Sequence, residues 1–198
     1  MDKKQIQEER MKGYFIESAK NLLKGEGLRS ISVRHVADHA GYSYATLYNY
    51  FKDLNELIFI CVGDFQQEAE EFIARKTEKT APGKERIQAI AQAYIDYFIE
   101  YPGVYELFFL ERMRDFNSKK EISELIYTFL DRLCADDWAE AVKQGVYTEE
   151  RTELLKAQLR FSLAGMLLYY ENRLQPDNYE AFVKQARQQI EAILEARG

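Results

Sequence analysis

Proline and glycine are scarce in this chain: 3 prolines and 10 glycines stand against a hydrophobic content of 46% in 198 residues. This scarcity argues against a disordered chain and against a β-rich fold with many turns. The 2 cysteines, Cys61 and Cys134, lie far apart in sequence and make neither a metal-binding motif nor a disulfide framework. These shortages favour an all-α globular fold with buried, reduced thiols.

Long hydrophobic runs are missing as well. No stretch approaches the roughly 18 apolar residues of a membrane span, and no apolar run follows the charged start at residues 1–4. We therefore expect a cytoplasmic protein with no membrane partner. At 198 residues the chain can bury a sizeable core, as one large domain or two small ones.

Catalytic and metal-binding constellations are also missing from the sequence pattern. His35 and His39 are four residues apart on a predicted helix, but no third ligand follows at a recognisable spacing. The acidic pairs at 136–137 and 149–150 have no histidine or nucleophile nearby, so we interpret them as solvated charges or as complements to a helix dipole. We expect no metal, no cofactor and no enzymatic activity.

The most informative stretch is residues 32–51, which predicts two short helices around a tight turn. Ser32 can cap the first helix, and Gly41 ends it, because the residue just past a helix C-terminus often needs a positive φ. Ser43 can cap a second helix, in which Leu47 faces back toward the first. This arrangement is typical of a helix-turn-helix with an exposed recognition helix.

Polar and small side chains at the exposed positions of this motif suit contacts with phosphates and base edges. The distribution of charge agrees with this interpretation. Residues 1–53 carry nine basic and seven acidic side chains, so the net charge of −6 arises in the remainder of the chain. The predicted DNA-binding residues are Ser32, Arg34, Ser43, Tyr44, Ala45, Thr46, Tyr48, Asn49 and Lys52.

Three segments, 31–37 (ISVRHVA), 40–43 (AGYS) and 46–51 (TLYNYF), resemble the first motif helix, the turn and the recognition segment of the TetR (tetracycline repressor) family. Upstream, residues 15–23 are similar to the supporting first helix of the family. The resemblance covers roughly residues 10–58. It implies a three-helix DNA-binding domain at residues 1–53, followed by a helical effector-binding and dimerisation domain at residues 54–198.

Two departures from the family pattern concern phosphate contacts. Leu54 stands where many members have a lysine at the start of the next helix, although Lys52 lies two residues earlier. Tyr44 stands in place of the lysine that is common after the turn serine. The sequence leaves open whether Lys52 replaces the missing contact.

Aromatic residues are concentrated in the C-terminal region, where a hydrophobic core is the default interpretation. Many of them are tyrosines, whose hydroxyls need partners when buried, so a cavity for an apolar ligand is the alternative. The family resemblance implies such an effector pocket. Its predicted lining residues are Tyr94, Phe98, Tyr101, Tyr105, Phe108, Phe109, Tyr127, Trp138 and Phe161.

The last two predicted helices have apolar surface on more than one face. Ala164 and Gly165 would let a partner helix approach closely, so the pattern predicts an isologous homodimer built from these helices. The predicted interface residues are Phe161, Gly165, Leu168, Phe182, Ala186 and Ile190.

The resulting interpretation is a ligand-responsive, homodimeric regulator that binds a palindromic operator in double-stranded DNA. A repressor released by a small apolar or aromatic effector is what the family resemblance implies. One alternative is a helical small-molecule-binding protein or enzyme with a vestigial DNA-binding domain, although no nucleophile–base pair is identifiable. Another is a protein-interaction bundle, in which the outward Tyr44, Thr46 and Tyr48 would have no particular use.

Overall fold

The computed structural model describes residues 2–110, 119–172 and 175–195, and helix is the only regular secondary structure in these ranges. The predicted all-α fold is therefore confirmed. A 3-10 turn occupies Leu28–Ser30 and a π-helical turn occupies Glu106–Leu110. The α-helices are α1 (Lys3–Glu26), α2 (Val33–His39), α3 (Tyr44–Tyr48), α4 (Leu54–Thr77), α5 (Lys84–Glu100), α6 (Pro102–Tyr105), α7 (Lys119–Tyr127), α8 (Phe129–Leu133), α9 (Ala135–Lys143), α10 (Glu149–Glu171) and α11 (Tyr179–Glu195).

The chain forms two compact units. Unit 1 comprises Met1–Gln67 and Tyr101–Ile126, and unit 2 comprises Glu68–Glu100 and Tyr127–Gly198. This division differs from the predicted boundary after residue 53, because α4 continues past that boundary within unit 1 and the segment after α5 returns to it. The assignment of DNA binding to residues 1–53 and of effector binding to residues 54–198 stays a functional prediction.

In unit 1, the apolar stripe of α1 covers the pair formed by α2 and α3. Phe15 and Leu23 of α1 are fully buried together with Val36 of α2 and Leu47 of α3. The hydroxyl of Ser18 donates a hydrogen bond to the carbonyl oxygen of Val36 at 2.9 Å, which joins α1 to α2. Burial of these apolar side chains supplies most of the stabilisation of such a small helical unit.

A second contact within unit 1 joins α6 to the C-terminal turn of α1. A Cβ atom on Gly103 would overlap the backbone carbonyl oxygens of Leu23 and Lys24. Glycine has no Cβ, so it alone permits this approach of the two backbones. The requirement explains why a glycine directly follows the proline that opens α6.

In unit 2, α5 is the central helix and contacts α8, α9, α10 and α11. Its side chains are buried on nearly all sides, as expected for a helix enclosed by others. The buried residues of α5 are Ile87, Ile90, Ala91, Ala93, Tyr94, Ile95, Tyr97 and Phe98.

A buried carboxylate stabilises the start of α5. Asp137 is 5% exposed, and its Oδ1 accepts a hydrogen bond from the backbone N–H of Gly83 at 2.9 Å. The expectation that Asp137 is solvated is therefore corrected. The residue lies on the buried face of α9 with Cys134, Trp138 and Ala141, at spacings of three and four residues.

The apolar pattern from about residue 118 to 144 predicts one helix, whereas the structure has α7, α8 and α9. The candidate N-caps Asn117 and Ser118 lie outside the described residues. Thr128 and Cys134 separate the three helices with nearly helical backbone angles (φ −90°, ψ −1° and φ −101°, ψ 5°). Because these angles barely disturb the helical period, the sequence pattern does not reveal the breaks.

The prediction of buried, reduced thiols is confirmed, since Cys61 and Cys134 are both free and buried. Desolvation raises the pKa of Cys61 to about 12, and it raises the pKa of Cys134 as well. Neither thiol forms the reactive thiolate near neutral pH to any useful extent.

Candidate nucleic-acid interface

Serine side chains cap both helices of the predicted helix-turn-helix. The Ser32 hydroxyl accepts a hydrogen bond from the backbone N–H of His35, and the Ser43 hydroxyl accepts one from the backbone N–H of Thr46, both at 3.1 Å. Each cap satisfies an N–H group that a helix start would otherwise leave free. Both predicted caps are confirmed.

The turn between the helices is a Schellman motif. Gly41 has a φ of +79°, as predicted for the residue that ends α2. The backbone N–H of Tyr42 donates to the carbonyl of Ala37 at 2.9 Å, and that of Gly41 donates to the carbonyl of Asp38 at 3.1 Å. These bonds satisfy the last carbonyls of α2 and fix the angle at which α3 leaves it.

Side chains of α3 divide into a buried and an exposed set. Leu47 is fully buried, whereas Tyr44 is 50% exposed and Tyr48 is 52% exposed. Tyrosine rings that remain half-exposed on a short, capped helix present both an apolar face and a hydroxyl to a binding partner. The arrangement is suited to placing α3 in the major groove of DNA.

Of the predicted DNA-binding residues, Thr46 is half-buried, with its hydroxyl 2.9 Å from the Ser43 hydroxyl. This hydrogen bond gives Thr46 a local role in addition to any contact with DNA. The others are exposed: Ser32, Arg34, Ser43, Tyr44, Ala45, Tyr48, Asn49 and Lys52. Their contacts with DNA stay a prediction.

Two basic residues flank α3 in the sequence, Arg34 before it and Lys52 after it. The guanidinium carbon of Arg34 lies 5.5 Å from the centroid of the Tyr44 ring, a cation–π distance that holds the charge beside α3. Lys52 is exposed, and its backbone N–H donates to Glu56 Oε2 at 2.6 Å. Leu54, at the start of α4, is half-buried.

An aromatic cluster beside the turn is a feature that sequence reasoning missed. The rings of Tyr42 and Tyr14 are stacked with centroids 6.2 Å apart, and the Phe15 ring lies 5.6 Å from that of Tyr42. The available signal was the position of Tyr42 directly after Gly41, where an apolar contact often accompanies this kind of helix end.

Both histidines of α2 form hydrogen bonds within unit 1. His35 Nδ1 donates to the carbonyl of Ser30 at 3.1 Å, and His39 Nδ1 lies 2.9 Å from the Ser18 hydroxyl. Within the described ranges, no group of three or more His, Cys, Asp or Glu side chains is arranged to hold a metal ion. None of the described helices is long and apolar enough to cross a membrane.

The predicted effector-pocket residues are divided between the two units. In unit 1, Tyr105 and Phe108 are buried, Tyr101 and Phe109 are half-buried, and the Tyr105 and Phe109 centroids are 5.2 Å apart. In unit 2, Tyr94 and Phe98 belong to the core, with centroids 4.8 Å apart, whereas Tyr127 and Phe161 are exposed. Trp138 lines a groove of about 560 Å³ between α9 and α10.

The predicted dimer-interface residues fall into an exposed group on α10 and a buried group on α11. Phe161 is 65% exposed and Leu168 is 39% exposed, and Gly165 lies on the same face of α10 by helical spacing. Phe182, Ala186 and Ile190 require a correction, because all three are buried within unit 2. The apolar stripe of α11 packs inside the chain, since α11 contacts α5 and α10.

Comparison with known proteins supports the assignment of the helix-turn-helix. Residues 15–59 match the family model of bacterial regulatory proteins of the tetR family. No curated protein sequence matches the chain. The match confirms the family resemblance on the residues that carry it.

Solved structures agree with the chain in fold over nearly its whole length. FadR from Bacillus subtilis, in complex with stearoyl-CoA, has a TM-score of 0.74 and 16% identity over 93% of this chain and 98% of that one. A TetR family transcription regulator from Marinobacter aquaeolei VT8 has a TM-score of 0.66 and 14% identity over 96% and 97%. PfmR, a TetR family regulator from Thermus thermophilus, has a TM-score of 0.59 and 20% identity over 93% and 96%. At these identities the likeness shows the fold alone.

Proposed function

We propose that this chain, whose residues 15–59 are a tetR-family DNA-binding domain, represses transcription by binding a palindromic operator as a homodimer. The observation that carries the proposal is the division of α3 into a buried Leu47 and the exposed Tyr44 and Tyr48. A helix that served only the core of unit 1 would not need two half-exposed aromatic side chains at adjoining turns.

In this mechanism α3 enters the major groove. The hydroxyls of Tyr44 and Tyr48 and the amide of Asn49 read base edges, because donors and acceptors there distinguish all four base pairs. Arg34 and Lys52 contact phosphates, which fixes the register of the protein on the duplex without reading sequence. Two copies related by a twofold axis then bind two half-sites about 34 Å apart, or a multiple of that distance.

Selection from a pool of randomised double-stranded DNA tests the DNA-binding proposal. The full-length protein is expected to enrich a palindromic sequence whose half-sites are separated by about one helical turn or a multiple of it. Failure to enrich any sequence would favour the alternatives, a small-molecule-binding protein or enzyme with a vestigial domain, or an interaction bundle.

The homodimer is proposed to form through the exposed face of α10. Phe161 and Leu168 leave apolar surface in solvent on either side of Gly165. A Cβ atom on Gly165 would meet nothing within 4 Å in the single chain, so a partner helix can approach there. Apolar side chains exposed in one row are typical of a surface covered by another chain.

Gly165→Arg is expected to convert the dimer to a monomer, because it places a charge and a bulky side chain in the middle of the apolar face. Gly63→Arg is the matched control, since Gly63 is also a helical glycine with open space at its Cβ. Sedimentation velocity measures the outcome. An intact dimer for Gly165→Arg, or equal dissociation of both variants, would place the interface elsewhere.

We also propose that a small-molecule effector releases the operator. The stearoyl-CoA complex of FadR supports this proposal, because it is a ligand complex of a protein with the same fold. Effector and operator must then prefer different arrangements of the dimer, and by linkage the operator weakens effector binding by the same factor. Measuring both affinities with and without the other ligand tests the reciprocity, and independent binding would contradict release.

A further inference from the structure

Helix α1 begins well before the part of the chain that matches the family model. The helix starts at Lys3, whereas the family match starts at Phe15. The side-chain oxygen of Gln5 accepts a hydrogen bond from the backbone N–H of Asp2 at 3.1 Å, which stabilises the first turn. Residues 3–10 are all exposed, so burial does not account for the pattern of their side chains.

Charged side chains are segregated around this N-terminal part of α1. One face, which we call the basic face, consists of Lys3, Gln7, Arg10 and Tyr14, spaced by four, three and four residues. Glu8 and Glu9 lie about 120° or more from Tyr14 around the helix. The acidic side chains are therefore turned away from the basic face.

The cations of the basic face are not neutralised within the chain. No ion pair joins Lys3 or Arg10 to an acidic side chain among the described residues. Lys12 lies on the other side of the helix, and its Nζ is 3.3 Å from Glu8 Oε1. The basic face thus presents two uncompensated positive charges to solvent, while the cation on the opposite side is paired.

The basic face continues toward the turn of the helix-turn-helix. The Tyr14 ring is stacked on the Tyr42 ring with centroids 6.2 Å apart, and Tyr42 directly precedes Ser43, the N-cap of α3. Arg10 lies one helical turn before Tyr14 on the same face of α1. The basic face and the N-terminal end of α3 therefore lie on the same side of unit 1. That end of a recognition helix is the one that contacts base edges in the groove.

We propose that the basic face of α1 binds the DNA backbone beside the major groove that α3 enters. Lys3 and Arg10 contact phosphates, and the amide of Gln7 and the hydroxyl of Tyr14 donate hydrogen bonds to the same strand. Lys3 and Arg10 are about 10 Å apart along the helix axis, so they reach different phosphates. The proposal rests on the DNA-binding function proposed above and extends its surface beyond the helix-turn-helix.

Duplex DNA matches this helix better than an anionic membrane surface does. A helix that binds at a membrane surface needs a broad apolar face opposite its basic one. In this part of α1 the side opposite the basic face is polar and consists of Gln5, Glu8, Glu9 and Lys12. The charge of the basic face complements phosphates, and the rest of the helix offers no surface for lipid chains.

The salt dependence of DNA binding tests the proposal. Lys3→Gln and Arg10→Gln should each make the slope of log K against log salt shallower by about 0.9, and the double variant by about 1.8. The change should be the same on the selected operator and on an unrelated duplex, because phosphate contacts carry no sequence information. Circular dichroism establishes that each variant is folded.

Lys12→Gln is the matched control, because it removes one positive charge from the same helix on the side away from the basic face. It should leave the salt slope unchanged. A parent-like slope in the Lys3→Gln, Arg10→Gln double variant would overturn the proposal. Equal changes for Lys12→Gln and Arg10→Gln would also overturn it, because they would show an effect of overall charge and not of the basic face.

Hydroxyl-radical footprinting of the operator locates the contact. The parent protein and Lys12→Gln should protect backbone positions beside each half-site that the Lys3→Gln, Arg10→Gln double variant leaves open. Protection over the half-sites themselves should persist in all three proteins. Unchanged protection beside the half-sites in the double variant would contradict a contact from the basic face.

The failure of the basic face and the failure of the regulator function are distinguishable. If an operator is selected and the double variant keeps the parent salt slope, the basic face is overturned and the regulator function stands. If selection enriches no sequence but the double variant still has a shallower slope on an unrelated duplex, the phosphate contact stands and the regulator function is contradicted.

Discussion

The helix-turn-helix of unit 1 and the helical bundle of unit 2 are specified over different distances along the chain. In the motif, each cap joins residues three positions apart, as for Ser32 and His35 or Ser43 and Thr46. In unit 2, the buried bond from Gly83 to Asp137 spans 54 residues. The structure of the helix-turn-helix therefore follows from interactions between residues close in sequence, whereas the structure of unit 2 depends on which helices pack against each other.

The two regions also differ in how clearly their structural residues can be told apart from the residues proposed to bind a partner. Neighbouring residues of α3 have distinct tasks, since Leu47 is buried and Tyr48 is half-exposed. In unit 2, two of the five aromatic residues predicted to line a pocket, Tyr94 and Phe98, are core residues, and two others are exposed. A binding surface on a single helix can be recognised in the sequence, because the helical repeat shows which side chains are exposed. A cavity between several helices cannot, because the sequence does not show how those helices pack.

The sharpest test of this separation compares Leu47→Ala with Tyr48→Ala. Leu47→Ala should lower the free energy of unfolding by about 2 to 5 kcal/mol, because it removes a fully buried side chain and leaves a cavity. Tyr48→Ala should change stability by less than about 0.5 kcal/mol, as is usual for an exposed position. Denaturant unfolding followed by circular dichroism measures both values. Equal losses would show that α3 does not divide into a structural and a functional face.

A second pair tests the long-range control of unit 2. Asp137→Ala should destabilise the protein by about 1 to 3 kcal/mol, because the buried N–H of Gly83 loses its acceptor. Asp136→Ala is the matched control, since Asp136 is the exposed neighbour of Asp137 in the same turn of α9. Unfolding curves for the two variants give the comparison. If Asp136→Ala costs as much, the contribution comes from the helix dipole and not from the bond to Gly83.

The same contrast explains how far the sequence predicts this molecule. The caps at Ser32 and Ser43, the turn at Gly41 and the burial of Leu47 follow from local geometry, and all are found in the structure. The assignment of Phe182, Ala186 and Ile190 to a dimer surface is wrong because an apolar stripe in a sequence does not reveal what covers it. Helices α5 and α10 of the same chain contact that stripe.

The groove beside Trp138 is a second feature that the sequence does not predict, because its lining residues come from two different helices. Its apolar wall comes from α9 and its carboxylates from the start of α10, and the two segments are joined by a turn whose geometry the residue pattern does not predict. The sequence predicts that Trp138 lines a pocket, but its pattern does not place Glu150 or Glu153 beside that residue. Only the packing of the two helices brings these residues to one groove.

The smallest expected effect concerns the edge of the proposed DNA-binding surface. Leu54→Lys should add one phosphate contact, which steepens the slope of log K against log salt by about 0.9 and raises affinity for all sequences alike. A cation at the start of α4 costs roughly 0.3 to 1 kcal/mol against the helix dipole. Binding isotherms at several salt concentrations measure the slope.

Lys52 provides the control for this change. If the Lys52 ammonium already occupies the same phosphate, Leu54→Lys should have a larger effect in a Lys52→Ala background than in the parent protein. An unchanged salt slope in both backgrounds would show that the start of α4 does not touch DNA.

The central claim is that the exposed face of α3 reads an operator, and the affinity of a Tyr48→Ala, Asn49→Ala double variant for the selected operator tests it most directly. Each lost base contact is expected to cost about 1 to 3 kcal/mol, while binding to an unrelated duplex stays the same. Circular dichroism establishes that the variant is folded. We predict a large loss of operator affinity with intact non-specific binding, and a folded variant that binds the operator as tightly as the parent would contradict the account.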